Sequence, residues 1–143
     1  RSPALDVEGA PAAVTGLAYD VTRDAIIVTD PEINDIYRVA VADGATEVLY
    51  HHGERSTPPG FDGAVVTPDG ALYVAALGQN GVARVEEGRL DYIVGLFRGA
   101  SDVDFAAPNR LYVSNFDQTS IVIPLVSPQL PFAIDVIELA ASS

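Results

Sequence analysis

Gly63-Ala-Val-Val-Thr67, the turn Pro68-Asp69-Gly70 and Leu72-Tyr-Val-Ala-Ala76 form an apolar run, a tight break and a second apolar run. Short β-branched and aromatic runs bounded by Pro, Asp and Gly read as two antiparallel strands joined by a hairpin. The same grammar occurs upstream, in Gly16-Leu-Ala-Tyr-Asp20, a turn over 21–24 and Ile26-Ile-Val-Thr-Asp30. It recurs downstream in Asp102-Val-Asp-Phe-Ala106, Ala107-Pro-Asn109 and Leu111-Tyr-Val-Ser-Asn115. Each copy continues through a polar loop into two further strand-like runs. The spacing is 46 positions from Ile26 to Leu72 and 39 from Leu72 to Leu111, which fits the roughly 40 to 50 residues of one four-stranded propeller blade. The longer first interval is accounted for by the loop His51 to Gly60.

The fold class is therefore all-β: a β-propeller segment of about three four-stranded antiparallel blades, half of a six-bladed ring. The expected organisation is an N-terminal segment over 1–13, blade 1 over 14–50, an inter-blade loop over 51–60, blade 2 over 61–97, blade 3 over 98–139 and a tail over 140–143. In blade 3 the strands are expected at Asp102 to Phe105, Arg110 to Val113, Ser120 to Leu125 and Phe132 to Leu139. Helix should be a minor element, since no long stretch has a 3.6-residue period. Alternate turns of a meander fall on alternate sides of the sheet. The loops Pro31 to Asn34, Leu77 to Asn80 and Phe116 to Thr119 should thus share a face with the inter-blade connections at His51 to Gly60 and Gly95 to Ser101. Binding groups belong on such a long-loop face. Leu17, Val28, Val65, Val74, Val103 and Val113 should be buried between neighbouring sheets.

Composition narrows the function. The chain has 143 residues, 48% of them hydrophobic, and carries 20 acidic and 8 basic side chains for a net charge of -12; all the basic ones are arginine. A phosphate backbone demands clustered cations, so nucleic acid is not an expected partner. No apolar run reaches the length of a membrane span. The absence of cysteine excludes disulfides, thiolate catalysis and Cys-ligated metals. No Gly-x-Ser-x-Gly elbow, Walker loop or His-Glu-x-x-His motif occurs, so hydride and phosphoryl transfer have no support.

Blade 1, with Gly16-Leu-Ala-Tyr-Asp20, Val28-Thr-Asp30 and Asp35-Ile-Tyr-Arg-Val39, resembles the NHL and YWTD propeller repeats. Blade 2, with Phe61-Asp-Gly63, Thr67-Pro-Asp-Gly-Ala-Leu-Tyr-Val-Ala75 and Gly81-Val-Ala-Arg84, is similar to the gluconolactonase and senescence-marker-protein group of calcium-dependent six-bladed enzymes. The likeness covers about residues 14 to 139. It implies a metal-ligating role for Asp62, which occupies the place of an Asp at the start of an innermost strand facing a central cation. The group's Asn ligand, in an Asn-Gly-Leu context, would fall at Thr15, and its glutamate ligand has no assignable equivalent here. Calcium is the cofactor this resemblance implies. The alternative reading of Asp62 is a turn cap beside Gly63.

Asp30 and Asn115 end equivalent strands on the long-loop face, either as oxygen ligands near the axis or as acceptors for backbone N–H groups of the following loop. Adjacent His51 and His52 would point to opposite sides of an extended segment and cannot readily chelate one ion. A solvated loop is the expectation there, with His52, Glu54 and Arg55 able to contribute to a ligand-facing rim. Thr15, Asn80, Ser101, Asp102 and Asp117 complete the ligand-facing candidates.

Closed propellers have about four to eight blades, so three would leave apolar flanks exposed at both seams. Two copies closing a ring, a half completed by another chain, and an open module docked in a larger assembly all satisfy that need. The start at Arg1-Ser-Pro, without an initiator methionine, fits a processed chain or a fragment, and the end after the last strand-like run fits a nearby C-terminus. The expected function is an exported binding or scaffolding module that assembles with another chain or copy. The alternative is a calcium-dependent lactonase or esterase.

Overall fold

A computed structural model describes residues 13–86, 88–123, 125–128 and 130–140; the segment before residue 13 and the last three residues of the tail lie outside them. Three antiparallel sheets follow one another along the chain. The first contains β1 (Leu17–Asp20), β2 (Ala25–Asp30), β3 (Asp35–Ala40) and β4 (Thr46–His51) in sequential order. The second contains β5 (Phe61–Val66), β6 (Leu72–Ala76), β7 (Gly81–Glu86) and β8 (Arg89–Val94), also in order. The third has three strands, β9 (Ala100–Ala106), β10 (Arg110–Asn115) and β11 (Ala133–Glu138), with a short helix α1 (Gln118–Val122) before β11. No described helix is long and apolar enough to cross a membrane.

Local chemistry sets the turns on one side. Gly70, at φ 85°, closes the β5–β6 turn by donating its N–H to the Thr67 carbonyl at 2.8 Å, and the Thr67 hydroxyl pairs with Asp69. Between β1 and β2 the Asp20 carboxylate accepts from the Thr22 N–H at 3.1 Å and the Thr22 hydroxyl at 2.6 Å, an Asx turn. The longer loops on the opposite side are knitted together. Gly60 N–H donates to Asn34 Oδ1 at 2.6 Å, Gly78 N–H to the Pro59 carbonyl at 2.9 Å, and Phe97 N–H to the Asn80 carbonyl at 2.9 Å. The long-loop face read from the sequence therefore exists as one hydrogen-bonded surface.

Two cores lie between the three sheets. Ile27, Ile36, Tyr50, Phe61, Leu72, Val74 and Ala83 fill the space between sheets one and two. Tyr73, Val82, Ala100, Val103, Leu111 and Val113 fill that between sheets two and three. The middle sheet faces a neighbour on both sides, which is why every residue of β6 is buried. Of the six expected core positions, Val28, Val74, Val103 and Val113 are buried, Val65 is half-buried, and Leu17 is 65% exposed. Leu17 occupies the same ladder position as Ala64 and Val103, but its face of the sheet has no neighbouring blade. Tyr19 and Val48 of sheet one, and Tyr112, Ile134 and Val136 of sheet three, are likewise exposed.

Among the described residues, one expected strand is absent. The third strand of blade 3, expected at Ser120 to Leu125, is replaced at its start by α1, which spans Gln118–Val122, and β11 instead pairs directly with β10 from Asn115↔Ala133 to Arg110↔Glu138. The physical reason is proline. Pro124, Pro128 and Pro131 fall within eight residues, and each removes a ladder donor and restricts the residue before it. The first stretch free of proline long enough to pair, 133–138, takes the vacant third position, leaving its outer edge open.

Candidate axial site

Each innermost strand departs from regular pairing at its first residues. On β1, Thr15 N–H donates to the Thr29 carbonyl at 3.2 Å while Thr29 N–H donates to the Gly16 carbonyl at 3.1 Å, so two residues face one. On β5 the register passes from Phe61↔Ala76 to Ala64↔Val74, so Asp62 and Gly63 together face Ala75. On β9 it passes from Ala100↔Asn115 to Asp102↔Ser114, leaving Ser101 as the extra residue. This is one β-bulge written three times. Bulges re-aim side chains at the ends of pairing, and here they bring Thr15, Asp62, Ser101 and Asp102 around a cavity of about 310 Å³ with Gly16, Leu17 and Gly63.

The glycines permit that convergence. A Cβ on Gly16 would lie 2.5 Å from Thr29 Oγ1 and 3.0 Å from the Asp62 carbonyl carbon. A Cβ on Gly63 would lie 2.6 Å from Asp102 Cγ and 2.7 Å from Asp102 Cα. Asp102 stands where the other two blades have glycine. The Thr29 hydroxyl fixes the first bulge by accepting from Gly16 N–H at 2.9 Å and donating to the Asp62 carbonyl at 2.6 Å. Asp102 Oδ1 accepts from Val103 N–H at 2.9 Å, and Ser101 shares a hydroxyl hydrogen bond with Ser114 at 2.9 Å.

Asp62 is the electrostatically unsettled member. Its pKa is raised above the ordinary carboxylate value, first by burial and then by the charge of Asp102. Its carboxylate forms no hydrogen bond or ion pair with the described residues, in contrast with the other acidic candidates. Asp30 is fully buried and accepts from the N–H groups of Glu32 at 2.9 Å and Ile33 at 3.4 Å. Asn115 accepts from Arg98 N–H at 3.0 Å and donates to Asp135 at 2.7 Å. Asp117, also buried, pairs with Arg98 at the start of α1. All three hold loops in place and lie outside the axial cavity. Asn80 is exposed, adopts φ 52° and ends the 3-10 turn Leu77–Gln79.

Of the two histidines, His51 is exposed as expected, while His52 departs from the solvated loop. His51 Nδ1 meets the Asp35 carboxylate at 2.9 Å. His52 is only 7% exposed, its Nδ1 lying 3.0 Å from the Tyr50 hydroxyl and its Nε2 3.1 Å from the Arg55 carbonyl. Alternation along β4 separates the two rings as anticipated, but it sends His52 inward, under the loop that carries Glu54 and Arg55. Those two side chains are exposed.

A calcium ion takes six to eight oxygen ligands. The axial cavity presents two carboxylates and two hydroxyls, all hard donors, with an excess of negative charge at Asp62. Among the described residues, no three His, Cys, Asp or Glu side chains converge. These four side chains could supply only part of the oxygen shell that calcium takes.

No protein-family model matches the sequence, and neither does any curated protein. Among solved structures the chain is similar to a gluconolactonase from Xanthomonas campestris, with TM-score 0.68, 16% identity, and coverage of 89% of this chain and 43% of that one. It is also similar to regucalcin from Agrobacterium tumefaciens, described as a calcium-binding protein, with TM-score 0.61, 18% identity, and coverage of 86% and 46%. A virginiamycin B lyase from Staphylococcus aureus matches with TM-score 0.61, 12% identity, and coverage of 90% and 42%. The chain spans less than half the length of each of these proteins. Three successive antiparallel meanders around a shared axis, two of four strands and one of three, together with these matches, identify the fold as a β-propeller segment of three blades, similar to the gluconolactonase and regucalcin propellers.

Proposed function

We propose that these blades form part of a metal-dependent lactone or ester hydrolase, with Asp62 as the principal carboxylate ligand of an axial calcium ion. The observation that carries the reading is the bulge that brings Asp62, unpaired among the described residues and destabilised by burial and by the charge of Asp102, to the axial cavity beside Asp102. Thr15 and Ser101 would contribute hydroxyl oxygens, and Asp102 a second carboxylate. When bound, the cation supplies a Lewis acid able to polarise a carbonyl oxygen. The protein's own part is to hold these oxygens rigidly, through Thr29 on one side and the Ser101–Ser114 pair on the other. Likeness to a gluconolactonase and to a calcium-binding regucalcin supports this reading over a purely scaffolding module.

The same reading requires the ring to be completed. Leu17 and Tyr19 at one end, and Ile134 and Val136 at the other, are apolar faces of the kind that pack between sheets elsewhere in the molecule. Three further blades, from whatever chain supplies them, would cover both faces and complete the ligand shell. Calorimetric titration of calcium chloride into the protein tests the metal. Asp62→Asn is expected to weaken binding by about tenfold or more, since it removes a charged oxygen ligand. Calcium binding unchanged in Asp62→Asn would overturn the assignment.

A further inference from the structure

The outer strands β4 and β8 and the loop over 52–60 border a second, open cavity of about 420 Å³, which extends from Gln79 to the β7–β8 turn at Gly88. We propose that it binds a small organic monocarboxylate through Arg55, independently of the axial site.

Charge pairing singles out this arginine. Among the described residues, Arg23 pairs with Asp20 at 3.0 Å, Arg38 with Glu47 at 2.8 Å, Arg84 with Glu86 at 3.0 Å, Arg89 with Asp91 at 2.8 Å, Arg110 with Glu138 at 2.9 Å, and Arg98 with Asp117. Arg55 reaches no carboxylate among them, although acidic residues outnumber basic ones in the chain. Its guanidinium donates to the Tyr50 hydroxyl at 3.3 Å and lies 5.6 Å from the centre of the Tyr50 ring. These two interactions leave most of its donors open.

The side chain is also held from behind. Tyr50 accepts from Arg55 and donates to His52 Nδ1, which places the imidazole proton on Nε2, where it donates to the Arg55 carbonyl. Arg55 is thereby tethered through its backbone carbonyl and through one guanidinium nitrogen. The loop itself adopts an uncommon backbone: Thr57 has φ 61°, a left-handed conformation that β-branched residues rarely take. Gln79 Nε2 holds that loop by donating to the Pro58 carbonyl at 2.9 Å. Backbone strain of this kind accumulates at binding sites.

The remaining walls define the ligand. Pro59, Leu90 and Tyr92 are apolar or aromatic, and Thr57 adds a hydroxyl. A guanidinium fork matches a planar carboxylate bidentately, and the apolar walls suit a flat organic body. Arg89 also borders the cavity, but its charge is met by Glu86 and Asp91. One cation left uncompensated among the described residues of a strongly acidic protein favours a monoanion over a dianion.

Benzoate, benzamide and inorganic phosphate, each titrated into ¹⁵N-labelled protein, test this. Benzoate is expected to bind saturably and to shift the Arg55 side-chain and Tyr92 signals, with benzamide and phosphate each weaker by about tenfold or more. Arg55→Gln should lose benzoate binding while retaining the native amide spectrum. If that variant loses its fold, Tyr92→Ala, which leaves the partners of Arg55 intact, should still weaken benzoate. Absence of saturable benzoate binding, phosphate binding as tight as benzoate, or benzoate affinity unchanged in a folded Arg55→Gln or Tyr92→Ala variant would overturn the proposal.

Discussion

Replacing Gly63 by alanine tests the convergence of the innermost strands on which the axial site depends. The added methyl carbon would stand 2.7 Å from Asp102 Cα and 2.6 Å from its Cγ, whereas carbon atoms rest at about 3.5 Å or more. Rotation of the Asp102 side chain can relieve the clash with its carboxyl carbon. It cannot relieve the clash with the backbone carbon, which requires β5 and β9 to move apart. Overpacking in a tight interior costs about 1–3 kcal/mol and occasionally more, and the upper part of that range is expected because the obstacle is backbone. For a chain of this size, with roughly 3–5 °C of melting temperature per kcal/mol, the loss should approach about 10 °C. Gly95 is the internal control, since a Cβ there meets nothing within 4 Å, so Gly95→Ala should change stability by no more than about 0.5 kcal/mol. Adding Asp102→Gly to Gly63→Ala should recover part of the loss, the non-additivity expected of touching residues. Urea unfolding followed by circular dichroism measures the parent and all three variants. A Gly63→Ala variant as stable as its parent would mean that β5 and β9 do not approach closely at the axis.

Val74→Ala truncates a fully buried side chain of the central sheet and should lower unfolding free energy by about 1–3 kcal/mol, read from the same urea curves. Leu17→Glu and Ile134→Glu each place a charge on an open blade face, so both should reduce association with a ring-completing partner in sedimentation velocity while leaving the monomer's circular dichroism unchanged; undiminished association in both variants would sink the seam argument. Asp62→Asn should stabilise the metal-free protein at neutral pH. Because the folded pKa of Asp62 is raised from 3.8, the unfolded chain gives up its proton first. Stability is therefore lost as pH rises from that value through the folded pKa, and the advantage of the Asn variant should grow across that window and then level off. Melting curves of both proteins from acid to neutral pH, in excess chelator, decide it.

The repeat, the meander and the long-loop face are legible in the sequence because they depend on turn residues and on runs of strand formers. Burial follows the local pattern where the face of a strand meets another sheet, as at Val74, Val103 and Val113. Leu17 and Val103 hold the same place in their sheets, but only Val103 has a sheet opposite it, a difference that no local pattern encodes. The missing strand of blade 3 carries a signal in Pro124, Pro128 and Pro131, which the aliphatic residues around them mask. The burial of His52 is hidden because the residues that follow it have the polar, Gly- and Pro-rich composition of an exposed loop. What buries the ring is its seating against the Tyr50 hydroxyl and the Arg55 carbonyl, which only the folded loop brings together. At the axis, Thr15, Asp62, Ser101 and Asp102 can be singled out one by one. The bulges that gather them are properties of strand pairing, and their only trace in the residues is Gly16 and Gly63.

Closure of the ring and occupation of the axis act on the same residues. Asp62 and Asp102 belong to adjacent blades; burial and, after it, the charge of Asp102 raise the pKa of Asp62, and the like charges oppose the approach of β5 to β9. The glycine at position 63 removes the steric barrier to that approach but leaves the electrostatic one. Further blades would withdraw more water from the axis, which strengthens repulsion between like charges. A cation among the four oxygen-bearing side chains reverses the sign of that effect, because desolvation then strengthens its attraction to both carboxylates. Metal binding and assembly should accordingly be linked: whatever binds the completed ring more tightly than the open segment also drives completion by the same factor. Calcium should therefore promote association at the exposed Leu17 and Ile134 faces in the parent protein, as sedimentation velocity with and without calcium chloride would show. In Asp62→Asn, where the repulsion is already relieved, association should proceed without calcium and respond to it weakly; a calcium response as large as the parent's would break the proposed linkage.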